Sequence, residues 1–453
     1  MKDNEKSWFY DKVSGNLFIH FEKDIPAKQL VEISTRRRIF APHKRQLGYI
    51  VVQGFILEHC GNQYPANFWE AKHPEWQQAG AVGIRSGHHW VIKKNVIRFA
   101  NGIGIDFGNE GDRESDLEIG DNGSAIGSKY NTIDSNYITD NGAGGTAAYY
   151  PDYITFTNNV VERNVNLRFR GNKRWESAGV KMHAPNFSVI SNNLIQNNYE
   201  KWGLWLDQGA GINTQVHANL IVGSEVGFDL EIGSAFPDKL ILENNIFIKN
   251  KIAIGSRESG GLTALHNLIL GSSGEAISNS IEKTRGGSWS GDFHYYFNNV
   301  FLGCQLIANV CPPDYYRSAD RRFDCNLYQA AENDKVFKIR NNPKDSVTFK
   351  SWKERWNTYN RGIYCDNNSA LISDISYEFN PIDFTLKLSI PDQYLHSKTT
   401  YFPILKTDFT GEKIPVSSAL PGPFQKLHKG NNEIILWKGL KPLPEYELPF
   451  GQF

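Results

Sequence analysis

Two short stretches in the middle of the chain each place a carboxylate four residues after a glycine. Residues Gly203–Asp207 read GLWLD and Gly227–Glu231 read GFDLE, so Asp207 and Glu231 are 24 residues apart. The two-residue alternation is typical of β-strands, in which successive side chains point to opposite faces. With the apolar side chains facing inward, both acids face outward at equivalent places.

Carboxylates at equivalent places on neighbouring strands could hydrolyse a glycosidic bond. Adjacent strands lie about 4.8 Å apart, which would place the two carboxyl groups roughly 5 Å from one another. A retaining glycosidase uses a pair about 5–5.5 Å apart, one acid as nucleophile and the other as acid/base, whereas an inverting enzyme needs more room for its water. The spacing therefore predicts a retaining acid pair, Asp207 and Glu231.

The same four-residue spacing extends the acid pair into a longer column. His183 follows Gly179 by four residues, and Arg257 follows Ala253 by four residues. The spacing thus predicts an outward column on four consecutive coils: His183, Asp207, Glu231 and Arg257. Cations at the ends of the column would oppose the repulsion between the acids. One carboxyl should still have a higher apparent pKa than the other.

A second outward column lies two residues earlier in each strand. It would set Trp205 beside Asp229, which we expect to act as a sugar-stacking ring and a hydroxyl acceptor. We predict that the substrate-binding residues of the two columns are His183, Trp205, Asp229 and Arg257.

The strands that carry these columns belong to an internal repeat. An asparagine followed by two apolar residues recurs at intervals of 22 to 41 residues. A base period of 22 to 26 residues with insertions is typical of the coils of a right-handed parallel β-helix, in which turn asparagines can stack from coil to coil. These asparagines are Asn95, Asn136, Asn159, Asn193, Asn219, Asn245, Asn267 and Asn299.

Composition agrees with an all-β protein. The 453 residues include 40 Gly, 2 Met and 13% aromatic residues, whereas a helical protein would favour Ala, Leu, Glu, Lys and Met. Lys+Arg and Asp+Glu both number 49, so the formal net charge is zero and gives no reason to expect nucleic acid or a membrane surface as a partner. We predict a β-solenoid with capping segments and long loop insertions.

Domain boundaries are set by where the repeat begins and ends. We expect N-terminal capping strands over residues 1–45, the β-helical catalytic domain over 46–325, and a C-terminal capping segment with an extended tail over 326–453. Insertions at 61–78, 107–131 and 286–296, rich in Trp, Tyr and His, would wall the cleft and close one end of it. A blocked end would make the enzyme exo-acting.

The sequence also sets expectations about partners, cofactors and compartment. We expect a soluble chain whose partner is an oligosaccharide, with no nucleic acid and no membrane; a homo-oligomer is compatible with it. No cofactor is expected, although a structural Ca²⁺ would be compatible too. Five cysteines, an odd number without a metal-like spacing, leave the compartment open between the cytoplasm and a periplasmic or secreted location whose leader is absent from this chain.

Several of these phrases resemble glycoside hydrolase family 120, the β-helical β-xylosidases. The similarity is carried by Ala178–His183, Gly203–Asp207 and Phe228–Glu231, with weaker likeness at Arg85–Trp90 and Pro421–Phe424. The resemblance implies a retaining, exo-acting enzyme that releases a terminal sugar from plant or algal polysaccharide fragments. In that comparison Asp207 matches the nucleophile and Glu231 the acid/base, and Glu176 is similar in placement to a carboxylate that binds the terminal sugar.

Other functions fit the same scaffold. The segment after Asp207 differs from that of the family, so a β-helical glycosidase with another glycone such as fucose stays open. A polysaccharide lyase or epimerase on a uronate polymer would use Ca²⁺ held by the acids and Arg257 as base. A non-catalytic carbohydrate-binding spike would use the aromatic residues without the acid pair.

Overall fold

The chain coils into a parallel β-helix. The computed structural model describes residues 7–20, 33–62, 80–110, 127–166, 177–198, 201–233, 240–281, 293–311, 321–340, 346–359 and 365–444. Each full coil in these ranges contributes one strand to each of three parallel sheets, here called A, B and C so that the chain runs from A to B to C within each coil. The all-β solenoid predicted from the repeat is confirmed.

Sheet A carries the acid pair. Its strands are β5 (Val82–Gly83), β8 (Ile103–Asp106), β11 (Gly144–Tyr149), β14 (Ala178–His183), β17 (Trp202–Asp207), β20 (Val226–Glu231), β23 (Ile252–Arg257), β26 (Glu275–Ser280), β29 (Leu306–Val310) and β32 (Phe337–Ile339).

Sheets B and C complete the coils. Sheet B is formed by β3 (Val51–Gln53), β6 (Val91–Lys93), β9 (Thr132–Asp134), β12 (Thr155–Thr157), β15 (Val189–Ser191), β18 (Thr214–His217), β21 (Leu240–Glu243), β24 (Leu262–Leu265), β27 (His294–Phe297) and β30 (Arg321–Asp324). Sheet C is formed by β4 (Ile56–Cys60), β7 (Val96–Ala100), β10 (Tyr137–Thr139), β13 (Val160–Glu162), β16 (Leu194–Gln196), β19 (Leu220–Val222), β22 (Ile246–Ile248), β25 (Leu268–Leu270), β28 (Val300–Leu302), β31 (Leu327–Tyr328) and β33 (Ala370–Leu371).

The elements outside the coils lie near the two ends of the chain. An antiparallel hairpin pairs β1 (Ser7–Asp11) with β2 (Asn16–His20), and an antiparallel sheet joins β34 (Ser376–Asn380), β35 (Thr385–Ile390) and β36 (Gly430–Ile435). The helices of the described residues are α1 (Phe349–Tyr359) and α2 (Asp392–Leu395). None of the helices in the described ranges is long and apolar enough to cross a membrane.

The inward side chains of sheet A fill the core, as the alternation predicts. Leu204, Leu206, Phe228 and Leu230 are each 0% exposed and belong to one apolar cluster that runs through the coils. Their burial fixes which face of each strand points outward, because a shift of one residue would exchange the two faces.

A ladder of buried asparagines ties successive coils together at the turn between sheets B and C. Each side-chain amide donates to the Oδ1 of the next asparagine over 2.9–3.1 Å. All eight predicted asparagines belong to it, and a ninth, Asn326, continues it. Asn326-Leu327-Tyr328 is thus a further copy of the repeat.

The β-helix therefore extends beyond the boundary expected at residue 325. Strands β31, β32 and β33 add to sheets C and A as far as Leu371. The coil is interrupted by α1, whose Trp352 and Trp356 are 0% exposed and stack on the end of the core. The predicted boundary at residue 325 was wrong because the inserted helix α1 separates the last coil from the others in sequence. The residues that cap the core lie inside that insertion.

The C-terminal segment is more than an extended tail. Leu386, Leu388 and Ile390 of β35 pack with Leu220, Ile246 and other outward residues of sheet C in a second apolar cluster. The antiparallel sheet thus covers the outer face of sheet C. In the described part of residues 1–45, β1 and β2 pair with each other and Phe40 bridges to Val82, so the capping role of that segment stays a prediction.

Replacing one rung of the ladder should destabilise the fold. Asn219 receives two hydrogen bonds from Asn193 and donates to Asn245 and to the Ile190 carbonyl. Asn219→Ala leaves buried partners unsatisfied, so we expect the free energy of unfolding to fall by about 3 kcal/mol in urea titrations. The matched variant Asn431→Ala, at an exposed position of β36, should change it by less than about 0.5 kcal/mol; equal effects would refute the role of the ladder.

Candidate active site

The register of sheet A places the predicted acids side by side. Asp207 on β17 pairs with Glu231 on β20, His183 pairs with Asp207, and Glu231 pairs with Arg257. The second column also forms, because Trp205 pairs with Asp229. The structure thus brings together every predicted site residue that lies in its described ranges.

The acid pair faces outward but is almost completely covered. The side chain of Asp207 is 6% exposed and that of Glu231 is 4% exposed. Carboxylates on an outer sheet face are usually solvated, so burial at this level sets these two apart from ordinary surface acids. A buried acid pair needs nearby donors and cations to remain stable.

Asp207 is held by two donors. Lys181 Nζ lies 2.7 Å from Asp207 Oδ2, and the backbone N–H of Gln208 donates to Oδ1 over 2.7 Å. Lys181 is itself 2% exposed. One donor on each oxygen fixes the orientation of the carboxylate toward the face that it shares with Glu231.

Glu231 has an environment that favours its protonated form. Burial raises its pKa, and the negative charge of Asp207 raises it further, while Arg257 and Lys181 act in the opposite direction. The net shift is upward. Arg257 Nη2 lies 2.9 Å from Glu231 Oε2, so a cation limits the shift without abolishing it.

Asp229 binds the same guanidinium, including the Nη2 atom that Glu231 contacts. Its Oδ2 accepts from Arg257 Nε at 3.0 Å and Nη2 at 2.5 Å, and from Trp202 Nε1 at 2.8 Å. Its Oδ1 is buried and has no hydrogen-bond partner among the described residues. Asp229 is 1% exposed, so its hydrogen-bond partners are Arg257 and Trp202 and not solvent. These bonds hold the Arg257 guanidinium beside Glu231.

The Trp205 ring offers little surface to a sugar. It is 5% exposed, Lys181 Nζ lies 3.2 Å from its centroid, and Trp202 stacks on it at a centroid distance of 4.5 Å. The expected free stacking face at Trp205 is therefore not present in this structure. Trp202, at the start of the same strand, is only half-buried and is the more accessible indole of the pair.

His183 closes the column on the side away from Arg257. Its Nδ1 lies 3.9 Å from Asp207 Oδ2, and its ring contacts Tyr149 at a centroid distance of 5.4 Å. His183 is 2% exposed, as expected for a side chain packed within the site and not on the surface.

Other predicted features fall at the edge of the described part of the chain or outside it. Glu176 falls outside the described residues, as do most of the insertions expected to wall the cleft. Within the described ranges, no group of three or more His, Cys, Asp or Glu side chains is placed to hold a metal ion. Arg257, the base of the lyase alternative, binds two carboxylates, which keeps its guanidinium charged.

Sequence reasoning missed two residues of the site. Lys181 lies opposite Trp205 in the second column, and its sequence position two residues before His183 was the available signal. Trp202 gives no such signal, since the start of a strand does not reveal where an indole N–H points. Lys181 acts on Asp207 through its charge and a hydrogen bond, and Trp202 acts on Asp229 through a hydrogen bond.

Comparisons with known proteins agree on the fold. The family described as "Right handed beta helix region" matches residues 80–237. The complex structure of XylC with xylose matches with a TM-score of 0.66 at 19% identity, covering 93% of this chain and 72% of that chain. These matches confirm the right-handed parallel β-helix.

A weaker similarity and one negative result complete the comparisons. The crystal structure of pectate lyase Pel9A matches with a TM-score of 0.32 at 15% identity, covering 47% of this chain and 52% of that chain, which is too low to support a conclusion. No curated protein matches the sequence.

The link between Arg257 and Asp229 should be needed for stability. Arg257→Gln leaves the Asp229 carboxylate buried without its cation, so we expect a loss of about 2–4 kcal/mol in the free energy of unfolding in urea. The double variant Asp229→Asn/Arg257→Gln removes the unpaired charge and should recover at least half of that loss. Additive losses would show that the two side chains are not energetically coupled.

Proposed function

We propose that this protein is a retaining, exo-acting glycoside hydrolase that releases a terminal sugar, with xylose as the first candidate, from plant or algal polysaccharide fragments. The observation that carries the proposal is the acid pair. Asp207 and Glu231 are register partners on adjacent strands, both are buried, and one of them has a raised pKa.

The separation favours retention over inversion. Register partners on neighbouring parallel strands lie about 4.8 Å apart, close to the 5–5.5 Å of retaining enzymes and short of the 6.5–9.5 Å that leaves room for a water. Two acids with unequal environments also suit two different roles, one ionised and one carrying a proton.

In the first step Asp207 is the nucleophile. Its carboxylate oxygen forms a bond to the anomeric carbon while the bond to the leaving-group oxygen breaks, and Glu231 gives its proton to that oxygen. Lys181 and the Gln208 N–H hold Asp207 in place for this attack. The raised pKa of Glu231 keeps the proton available.

In the second step Glu231 acts as base. It takes a proton from water, the water oxygen bonds to the anomeric carbon, and the electron pair of the breaking bond returns to Asp207. Two inversions at one carbon give net retention. Glu231 ends the cycle protonated, ready for the next substrate.

The neighbouring side chains would shape the pocket for the terminal sugar. Arg257 is the most exposed member of the column, with 31% of its side chain accessible, and Trp202 is half-buried beside it. We assign sugar contacts to these two residues, with Glu176 contributing as the family resemblance implies, whereas His183 is 2% exposed and packs beside Asp207. Asp229 and Trp205 do not contact the sugar in this proposal. Asp229 positions Arg257, and Trp205 packs against Lys181.

Two similarities support xylose. XylC was solved with xylose bound and shares the fold over most of this chain, and the sequence phrases resemble the β-xylosidases of glycoside hydrolase family 120. A different loop after Asp207 makes another glycone, such as fucose, the second candidate.

A panel of p-nitrophenyl glycosides tests the reaction and the sugar. We expect wild type to hydrolyse one of the xyloside, arabinoside, fucoside and galactoside, and Asp207→Ala to lower kcat/KM on the order of 10⁴-fold. Azide should accelerate Glu231→Ala and yield a glycosyl azide of retained configuration, since azide needs no base to attack the glycosyl-enzyme.

A matched control uses a buried acid elsewhere. Glu243 on sheet B is 8% exposed and burial raises its pKa to about 7, yet it lies away from the acid pair. Glu243→Gln should keep kcat/KM within about threefold of wild type. Full activity in Asp207→Ala would contradict the proposal, as would an inverted product from wild type.

The pH dependence of kcat/KM should report Glu231. The acid must be protonated, so activity falls as pH rises through its pKa, and the raised value moves this basic limb above that of an ordinary Glu. Arg257 lowers and Asp229 raises this pKa. Arg257→Gln should therefore shift the limb to higher pH and Asp229→Asn to lower pH, and shifts in the same direction would disprove the assignment.

A further inference from the structure

Two indoles beside the acid pair contact two cations. Trp202 and Trp205 stack with their ring centroids 4.5 Å apart and their planes 24° from parallel. Lys181 Nζ lies 3.2 Å from the Trp205 centroid. Arg257 Cζ lies 5.4 Å from the Trp202 centroid and 5.3 Å from that of Trp205. We call Trp202 and Trp205 the indole pair.

Each of these cations also pairs with one acid of the proposed mechanism. Lys181 Nζ lies 2.7 Å from Asp207 Oδ2, so one ammonium group contacts both the Trp205 ring and the nucleophile. Arg257 Nη2 lies 2.9 Å from Glu231 Oε2. A change that displaced either cation would therefore alter the surroundings of the acid that it binds.

The Trp205 ring is well placed to hold Lys181. Trp205 is 5% exposed and Lys181 is 2% exposed. A cation is attracted by the negative face of an aromatic ring, and the attraction is strongest where both groups are shielded from water.

The indole N–H of Trp205 gives a second argument for this role. Nε1 is buried and has no hydrogen-bond partner among the described residues. A buried donor without a partner costs free energy, and a phenylalanine at this position would avoid that cost. The choice of tryptophan thus needs another physical reason, and indole is the aromatic ring that binds a cation most strongly.

We propose that Trp205 is a positioning residue of the active site, whose ring face holds the Lys181 ammonium group on Asp207 and so keeps the nucleophile oriented. This role deepens the proposed function and rests on it, because it links a residue that does not contact the sugar to the chemical step. It replaces the sugar-stacking role that the sequence predicted for Trp205.

A double-mutant cycle tests this role with the p-nitrophenyl glycoside that wild type hydrolyses best. Trp205→Leu should lower kcat about 10- to 100-fold and change KM by less than about threefold, because the ring orients the nucleophile and does not bind the sugar. In the Lys181→Met background the same change should lower kcat by less than about threefold, since Trp205 acts through Lys181.

A Trp205 that stacks on the sugar would give the opposite pattern, a raised KM with kcat nearly unchanged. That pattern, or an equal loss of kcat in both backgrounds, would overturn the positioning role. If Trp205→Leu does not fold, the same cycle is measured with Trp205→Phe, whose smaller ring binds the cation more weakly. The loss of kcat should then be smaller and should again depend on Lys181.

The matched control is Trp356→Phe, compared with Trp205→Phe. Trp356 stacks on Trp352 at a centroid distance of 4.7 Å and an angle of 24°, nearly the geometry of the indole pair, and lies at the end of the core. The control should lower stability but keep kcat within about threefold of wild type. An equal fall of kcat in both variants would assign the effect to lost packing and overturn the positioning role.

The pH profile gives a readout that lost packing alone would not move. Burial raises the pKa of Glu231, and the charge of Asp207 raises it further. Arg257 and Lys181 lower it. If Trp205→Leu releases Lys181 from the acids, the basic limb of kcat/KM should shift to higher pH, as in Lys181→Met. A limb that shifts in Lys181→Met but not in Trp205→Leu would show that Trp205 does not hold Lys181.

Failure of the proposed function gives a different result. If wild type hydrolyses none of the glycosides, the four proteins of the cycle are compared by urea unfolding, which needs no turnover. Trp205→Leu should raise the unfolding equilibrium constant at least about tenfold more in wild type than in Lys181→Met. This coupling would support Trp205 as the residue that holds Lys181 on Asp207, and additive effects would overturn it.

Discussion

Hydrogen bonding between successive coils is the interaction on which the rest of the structure depends. Parallel strands repeat at about 4.8 Å, and a continuous column of buried asparagine amides keeps neighbouring coils in register at one corner. Because register is fixed, an outward residue on one coil lies directly beside its equivalent on the next. Asp207 and Glu231 are neighbours for this reason, although 24 residues of chain separate them.

Two buried carboxylates side by side repel each other, and neighbouring cations offset this repulsion. Lys181 pairs with Asp207, and Arg257 joins Glu231 to Asp229. The cations stabilise the pair without neutralising it completely, since the pKa of Glu231 stays raised. In the proposed mechanism this asymmetry separates the nucleophile from the acid.

The repeat period and the two-residue alternation could predict the coils and the outward columns. They could not predict the contacts that long side chains make. The four-residue spacing after Gly179, Gly203, Gly227 and Ala253 was enough for the register of the outward column, because strand geometry converts spacing into position. The insertion of α1 hid the last coil, and no spacing in the sequence indicated that Arg38, Arg45 and Arg85 bind Glu110, because these residues come from separate segments. The contacts of Lys181 were missed because alternation gives the face of a residue but not the reach of its side chain.

In the proposed mechanism Asp207 forms a covalent bond to the sugar while Glu231 donates and accepts the proton. The test is to incubate the protein with the 2,4-dinitrophenyl 2-deoxy-2-fluoro glycoside of its preferred sugar and to map the labelled peptide by mass spectrometry; the fluorine slows both steps, and the activated leaving group keeps the first step fast enough for the glycosyl-enzyme to accumulate. We expect one label per chain, on Asp207, that turns over slowly. A label on another residue, or full activity with no label, would contradict it.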